Sequence, residues 1–169
     1  MLPWIVGAVV VGVGAYLLDD AKSDNKRARN RYNSTLKEAE NNIKEAYYNA
    51  QDIDMLDKLH KVKRAKYKIL NSTQKQIKGS KNNLKKINFQ LKKLKEDLSI
   101  LFFEKHGTKT REEKREIQKD INIVIKARRE LFQIRDELKF DISQLEKKLE
   151  DVRREIKNIH NDIGRIEKG

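Results

Sequence analysis

The sequence predicts an all-α protein in which an N-terminal single transmembrane helix is followed by a long antiparallel coiled-coil helical hairpin. Three observations predict this fold class. Residues 2–18 carry no charged side chain. The single proline is Pro3, so no later residue lacks the backbone N–H that a helix uses. Charged residues make up 38 % of the chain, and leucine and isoleucine recur between them at helical spacing, as in coiled coils.

Residues 1–20 are predicted to be a membrane anchor. The uncharged segment, residues 2–18, would be about 26 Å long as a helix, at the short end for crossing a hydrocarbon core. Trp4 and Tyr16 lie near its ends, where aromatic side chains are enriched in membrane proteins. A cleaved signal peptide and a buried or interfacial helix are the alternatives. A signal peptide normally has basic residues before its apolar run, and this chain has none there.

The residues around and within this anchor predict its orientation and packing. Basic residues follow it closely, so the positive-inside rule predicts a single-pass membrane protein with its C-terminal body in the cytoplasm. These residues are Lys22, Lys26, Arg27, Arg29 and Arg31. The candidates for close helix packing in the membrane are the small residues Gly7, Ala8, Gly12 and Gly14. The alternative is that glycine is simply common in membrane helices.

Residues 21–54 are predicted to be a polar juxtamembrane segment with a short helix. The part up to residue 34 has no apolar stripe. Thr35 and Glu38 have the spacing of a capping box, which predicts that the short helix begins there. Its apolar positions recur at helical spacing, at Leu36, Ala39, Ile43, Ala46 and Ala50.

Residues 55–169 are predicted to form the hairpin, with its turn near residues 106–110. The first arm has a heptad stripe at Leu84, Ile87, Leu91, Leu94, Leu98 and Leu101. The second arm holds a heptad register from Ile117 to Ile166. Such a short connection between two long stripes favours antiparallel neighbours.

The turn itself carries two end signals. Gly107 is expected to end the first arm in the left-handed conformation that glycine adopts without a steric clash. Thr110 and Glu113 have the spacing of a capping box for the second arm. Folding about Gly107 would then bring residue i close to residue 214 − i.

Two arginines and the narrowness of the stripes bear on assembly. Arg128 and Arg135 stand where the second stripe calls for apolar side chains, and such interruptions commonly fix register or oligomeric state. A two-helix hairpin buries only one stripe on each arm. We therefore expect a homo-oligomer or a complex with helices of a partner.

Residues 58–95 form a basic arm, because they contain fourteen lysines and arginines and no aspartate or glutamate. Its members are Lys58, Lys61, Lys63, Arg64, Lys66, Lys68, Lys75, Lys78, Lys81, Lys85, Lys86, Lys92, Lys93 and Lys95. In the heptad frame of Leu84, Lys85 and Lys86 take positions b and c, which point away from the other arm of a two-helix coil. The arm is either a solvated face or a binding surface for an anionic partner. Mixed charges would serve solubility equally well, which favours binding.

An acidic protein is the favoured partner, ahead of nucleic acid, because the arm has too few aromatic side chains for base stacking. Lipid comes third, because Lys58 lies forty residues beyond the anchor and the chain would have to fold back to reach the bilayer. The sequence also lacks the residues of most catalytic and metal sites. It has no cysteine, and its three histidines are far apart, so no cofactor, no metal and no enzymatic activity are predicted.

The predicted function is a non-enzymatic membrane-anchored tether or scaffold that recruits an anionic cytoplasmic partner. The alternative is a membrane-permeabilising effector, a toxin or defence protein, that oligomerises through its glycine-containing helix. A third possibility is a membrane-tethered nucleic-acid-binding protein.

Overall fold

Three α-helices make up the described part of the chain, and that part contains no strand. The computed structural model describes residues 3–48 and 55–168, with side chains for residues 22–46 and 55–168. The helices are α1 (Pro3–Tyr48), α2 (Met55–Gly107) and α3 (Arg111–Ile166). The all-α class predicted from the sequence is confirmed.

The chain divides into two compact units, each of which contains part of every helix. The turn unit consists of Met1–Asn25 and Asn82–Phe140. The terminal unit consists of Lys26–Lys81 and Asp141–Gly169.

The turn unit is built on the apolar stripes of α2 and α3. Its core contains Ile87, Leu91, Leu94, Leu98, Leu101, Ile117, Ile121, Val124, Leu131, Ile134 and Leu138. Near the connection, Lys105 Nζ donates to Gln118 Oε1 at 2.6 Å, so the end of α2 lies beside the start of α3. The first side chains of α1 that the structure describes contact both α2 and α3. Lys22 Nζ lies 3.1 Å from Glu130 Oε2, and Lys86 Nζ lies 3.4 Å from Asp24 Oδ2.

In the terminal unit, α1 is the third helix of the core. Ala39 on α1, Ile69 on α2, and Val152 and Ile156 on α3 form one buried cluster. Leu36, Ile43 and Leu70 pack against this cluster. Of the apolar stripe predicted for residues 36–50, Leu36, Ala39 and Ile43 therefore belong to a buried contact surface. The sequence predicted a short helix here, but not its packing against both arms of the hairpin.

Small and polar side chains mark where α1 and α2 meet. Thr73 is fully buried, and its Oγ1 lies 3.5 Å from the hydroxyl of Tyr32. Thr73 also donates to the carbonyl of Ile69 at 2.8 Å, which satisfies its hydroxyl inside the helix. The contacts of Tyr32 with Thr73 and of Glu38 with Lys68 show that α1 runs antiparallel to α2.

The prediction that a helix begins at Thr35 is wrong. α1 is already helical before this residue, and Thr35 Oγ1 donates to the carbonyl of Arg31 at 3.1 Å instead of capping a first turn. The polar residues before Thr35 remain helical because the helix packs there through Tyr32 and through the ion pairs of Lys22 and Asp24.

The hairpin turn follows one of its two end signals. Glu113 N–H donates to Thr110 Oγ1 at 3.4 Å, which confirms the predicted cap of α3. The left-handed conformation predicted for Gly107 is wrong, because no described glycine has a positive φ. Instead, the N–H and the hydroxyl of Thr108 both donate to the carbonyl of Glu104, at 3.0 and 2.8 Å. Gly107 thus stays in α2, and the connection lies after it.

That later connection shifts the register of the hairpin. The predicted rule places residue 148 opposite Lys66 and residue 109 opposite Lys105. Lys66 instead pairs with Glu155 and Lys105 contacts Gln118, several residues further along α3.

The predicted membrane helix has no support from the structure. Where side chains are described, in residues 22–46 and 55–168, no helix has a stretch that is both long and apolar enough to cross a bilayer. Residues 2–18, including Gly7, Ala8, Gly12 and Gly14, lie outside that part of the chain. The membrane helix remains a prediction from the sequence.

Candidate partner-binding surface

One side of α2 in the terminal unit uses its lysines to hold α3. Lys66 Nζ lies 2.6 Å from Glu155 Oε2, and Lys81 Nζ lies 2.7 Å from Glu146 Oε1. Lys63 Nζ lies 3.1 Å from Nδ1 of His160. Acids on α3 therefore neutralise part of the charge that looked unbalanced in the linear sequence.

The opposite side of α2 carries a row of exposed basic residues, which we call the outer basic stripe. Its members follow one another at spacings of three or four residues, apart from one interruption at Asn71, and so lie on one face of the helix. They are Lys61, Arg64, Lys68, Lys75 and Lys78, all exposed. From its first to its last residue the stripe is about 26 Å long, at 1.5 Å per residue.

The stripe has few partners in the described part of the chain. Lys61 pairs with Asp57 on its own helix at 3.1 Å, and Lys68 reaches Glu38 on α1 at 3.8 Å. Both pairs are exposed to water, so each contributes roughly 0–1 kcal/mol and is readily exchanged. Arg64, Lys75 and Lys78 have no ion pair among the described residues.

Two neighbouring features shape this surface. Tyr67 lies beside the stripe on α2 and is 45 % exposed, so its ring is open to contact. An open groove runs between α1 and α2, lined by Lys61, Arg64 and Lys68 from the stripe and by Glu45 from α1. The stripe is thus the margin of a shallow concave surface and not an isolated row of charges.

The turn unit has its own exposed basic residues, with different surroundings. Lys93 Nζ lies 5.4 Å from the centroid of the Phe89 ring, which is 61 % exposed. Lys92 is 4.0 Å from Glu96 on the same helix. Lys86, by contrast, contacts Asp24 of α1. This contact does not conflict with the prediction that position c points away from the other arm, because Asp24 belongs to α1 and not to α3.

The structure thus divides the predicted basic arm into two groups. Eight of its members have a described partner: Lys61, Lys63, Lys66, Lys68, Lys81, Lys86, Lys92 and Lys93. The other six have none among the described residues: Lys58, Arg64, Lys75, Lys78, Lys85 and Lys95. The acids that pair with Lys66, Lys68, Lys81 and Lys86 lie on α1 or α3, and only the folded arrangement identifies them.

Arg128 and Arg135 enclose an aromatic ring. Their guanidinium carbons lie 5.2 and 4.6 Å from the centroid of Phe132. Arg135 also donates to Asp136 Oδ1 at 2.8 Å, whereas Arg128 Nε is buried without a described hydrogen-bond partner. Both side chains are half-buried at the margin of the core. Their predicted role in register or assembly stays a prediction.

A flank of the turn unit, beside the contacts of α1, has features that the sequence did not single out. Ile100 on α2 and Ile123 on α3 are 48 % and 45 % exposed. One turn before each of them is an acid, Asp97 or Asp120, and burial raises the pKa of both carboxyl groups. This flank combines exposed apolar side chains with carboxylates that are partly shielded from water.

Residues for metal binding are not gathered in the described chain. No group of three histidine, aspartate or glutamate side chains with a metal-binding arrangement occurs among the described residues. Comparison of the chain with protein-family models, with curated proteins and with solved structures finds no match.

Proposed function

We propose that this protein is a non-enzymatic tether, anchored to a membrane by residues 2–18, which recruits an acidic helical segment of a cytoplasmic protein through the outer basic stripe. The observation that carries the proposal is the contrast within the terminal unit. Lys66 and Lys81 are neutralised by glutamates of α3, whereas Arg64, Lys75 and Lys78 are exposed and unpaired among the described residues.

The geometry of the stripe favours an α-helix as the partner. Its basic residues recur with the three- and four-residue spacing of one helix face. Carboxylates on one face of a second helix recur with the same spacing, so the two rows can pair along their length. Each such contact is exposed and weak, which makes the sum of several contacts necessary for binding.

Nucleic acid fits the same surface less well. The stripe is a single row of charges, and in the described part of the terminal unit Tyr67 is the only exposed aromatic residue beside it. Binding of nucleic acid would therefore rest on phosphate contacts alone, without a platform on which bases stack.

A charge-reversal experiment tests the partner. The probe is a labelled synthetic helix whose glutamates are separated alternately by three and four residues, so that they lie on one face. Its affinity for the protein is measured by fluorescence anisotropy. Replacement R64E/K75E/K78E should weaken binding about tenfold or more, since three attractive contacts become repulsive. The matched control is K147E/R153E/K157E, which makes the same charge change at exposed residues of α3 in the same unit.

Equal weakening by the two triple variants would show that net charge and not the stripe binds the probe. Tighter binding of a DNA or RNA duplex than of the acidic helix would replace the proposal with a nucleic-acid function. Both outcomes are measured with the same protein preparations.

The anchor is tested separately with the single tryptophan, Trp4. Vesicles that contain brominated lipid should quench its fluorescence if residues 2–18 enter the bilayer. Absence of quenching would remove the membrane from the proposal and leave the partner surface untouched. Dissipation of a membrane potential by the intact chain would instead favour the permeabilising effector.

A further inference from the structure

A row of exposed side chains runs along one face of α2 in the turn unit. It begins at Phe89 and ends at Phe103, which are 61 % and 81 % exposed, and it includes Ile100, which is 48 % exposed. Lys93 and Glu96 stand between them and are also exposed. These five residues follow one another at spacings of four, three, four and three, which is the spacing of the contact positions in a coiled coil. We call this row the outer seam.

The outer seam is separate from the stripe that α2 uses in the core of the turn unit. That core stripe contains Leu91, Leu94, Leu98 and Leu101. Each of these leucines follows a seam residue by one or two positions, so the seam is turned by roughly 100–200° around the helix axis from the core stripe. α2 thus has one heptad face buried in the core and a second heptad face that remains exposed.

The two charged residues of the outer seam indicate which helix fits it. If two copies of α2 pair antiparallel about a two-fold axis between residues 94 and 95, residue i of one copy lies close to residue 189 − i of the other. Lys93 of each copy then faces Glu96 of the other, so opposite charges meet twice. In the same register Phe89 faces Ile100, so apolar side chains meet at both ends. The seam is therefore complementary to itself.

Other pairings of the same face are less favourable. A parallel pair sets Lys93 against Lys93 and Glu96 against Glu96, and like charges repel. An antiparallel pair shifted by one heptad sets Lys93 opposite Phe89, or Glu96 opposite Ile100. Each of these contacts would bury a charge against an apolar side chain, which is costly. Charge and apolar contacts thus favour the same single register.

We propose that two copies of this chain associate through the outer seam, antiparallel, with two Lys93–Glu96 ion pairs at the centre and a Phe89–Ile100 contact on either side. Phe103 then lies opposite Lys86 of the second copy, whose aliphatic stem packs against the ring. The contact covers residues 86–103, about 27 Å of each helix. So short a contact between two helices makes a dimer that dissociates on dilution.

The dimer adds to the proposed tether without depending on it. None of the seam residues belongs to the outer basic stripe, which lies in the terminal unit. Two associated copies carry two such stripes. A partner with two acidic segments would therefore bind the dimer more tightly than a single copy, because its second contact forms within one complex.

Zero-length crosslinking of the unaltered full chain tests the register. Unlabelled and isotope-labelled chains are mixed in a mild detergent and treated with a carbodiimide, which couples lysines to neighbouring carboxylates. Mass spectrometry should find Lys93 of one isotope joined to Glu96 of the other. Lys119 and Glu116, 2.6 Å apart on α3, provide the reference within one copy and should give no mixed-isotope link. Mixed links spread over many lysines and carboxylates, or none at all, would overturn the proposal.

Charge exchange tests the same contact by sedimentation in that detergent. K93E and E96K each set like charges against each other across the axis, so each should reduce the fraction of dimer. K93E/E96K restores opposite charges and should restore the dimer. Both positions are exposed, and circular dichroism shows whether the helices are retained. A double variant that is as monomeric as the single variants would contradict the antiparallel register.

Removal of the apolar contacts should have a larger effect. F89S/I100S should weaken dimerisation about tenfold or more, because two apolar contacts are lost at each end. The matched control is F140S, since Phe140 is 64 % exposed in the same unit but lies outside the outer seam. Equal weakening by both variants would overturn the proposal. A monomeric F89S/I100S that still binds the acidic helix would support the seam and leave the proposed function intact, whereas a dimer that does not bind it would contradict the proposed function alone.

Discussion

The two sides of α2 in the terminal unit differ in what their lysines do. On the side facing α3, Lys66 and Lys81 meet Glu155 and Glu146 at 2.6 and 2.7 Å. On the outer side, Lys75 and Lys78 are exposed without an ion pair among the described residues. The same residue type within one acid-free segment is thus paired with glutamates of α3 on one side and without an ion pair among the described residues on the other.

This difference teaches that a run of like charge in a sequence is not one surface. The helical repeat distributes successive lysines around the axis, so neighbours in sequence face different environments. Acids on other helices and at the two ends of the acid-free segment then decide which lysines remain unpaired. The following predictions separate the inner side of α2 from its outer side, beginning with the largest change in stability.

Shortening a buried side chain on the inner side of α2, which faces the other helices, should be the most destabilising change. Ile69 is 4 % exposed and belongs to the core that α1, α2 and α3 share in the terminal unit. Ile69→Ala should lower the free energy of unfolding by about 2–4 kcal/mol, because it removes buried methyl groups and leaves a cavity. Tyr67→Ala on the outer side is the control and should change it by less than about 0.5 kcal/mol. Urea unfolding followed by circular dichroism measures both.

Replacing a small buried residue of α1 by a larger one tests whether α1 packs closely against α2 and α3 in the terminal unit. Ala39 is 1 % exposed. Ala39→Leu should destabilise the protein by about 1–3 kcal/mol, because the larger side chain forces α1 away from its neighbours. The exposed neighbour Glu40→Leu provides the control. Hydrogen exchange should then increase in residues 26–46, and unchanged exchange there would show that α1 is not held by this contact.

The hydroxyl of Tyr32 should make a smaller contribution. It lies 3.5 Å from Thr73 Oγ1, a long hydrogen bond, so Tyr32→Phe should cost about 0.5 kcal/mol. Tyr67→Phe, which removes an exposed hydroxyl, should cost nothing measurable. A loss above about 1.5 kcal/mol for Tyr32→Phe would exceed the usual net value of one hydrogen bond and contradict this interpretation.

Large aliphatic residues made part of this architecture predictable from the sequence. Leu94 and Leu98 on α2 and Leu131 and Leu138 on α3 stand in heptad stripes, and these stripes form the core of the turn unit. The cap at Thr110 is a local signal between nearby residues, and it too was predictable. Periodicity and caps are readable in one sequence because they depend on short separations along the chain.

The third helix of the core was less visible because its contacts use small and polar side chains. Ala39 was part of a predicted apolar stripe, but a stripe of mostly small side chains does not show what it packs against, and the buried Thr73 is polar. The neutralisation of Lys66 by Glu155 was also hidden, since it joins residues that are distant in sequence. The register was misjudged because Gly107 is not left-handed but remains in α2, so the connection lies after it.

The central claim is that the lysines on the two sides of α2 have separate roles, and a pair of double variants tests it most directly. K66Q/K81Q and K75Q/K78Q remove the same charge from the same helix. For each variant, the free energy of unfolding and the affinity for the acidic helix are measured at the same ionic strength, because salt screens both effects. We expect K66Q/K81Q to lose up to about 1 kcal/mol of stability and to bind the acidic helix normally. We expect K75Q/K78Q to bind several times more weakly with unchanged stability. Equal losses of affinity in the two variants, or a loss confined to K66Q/K81Q, would contradict the account.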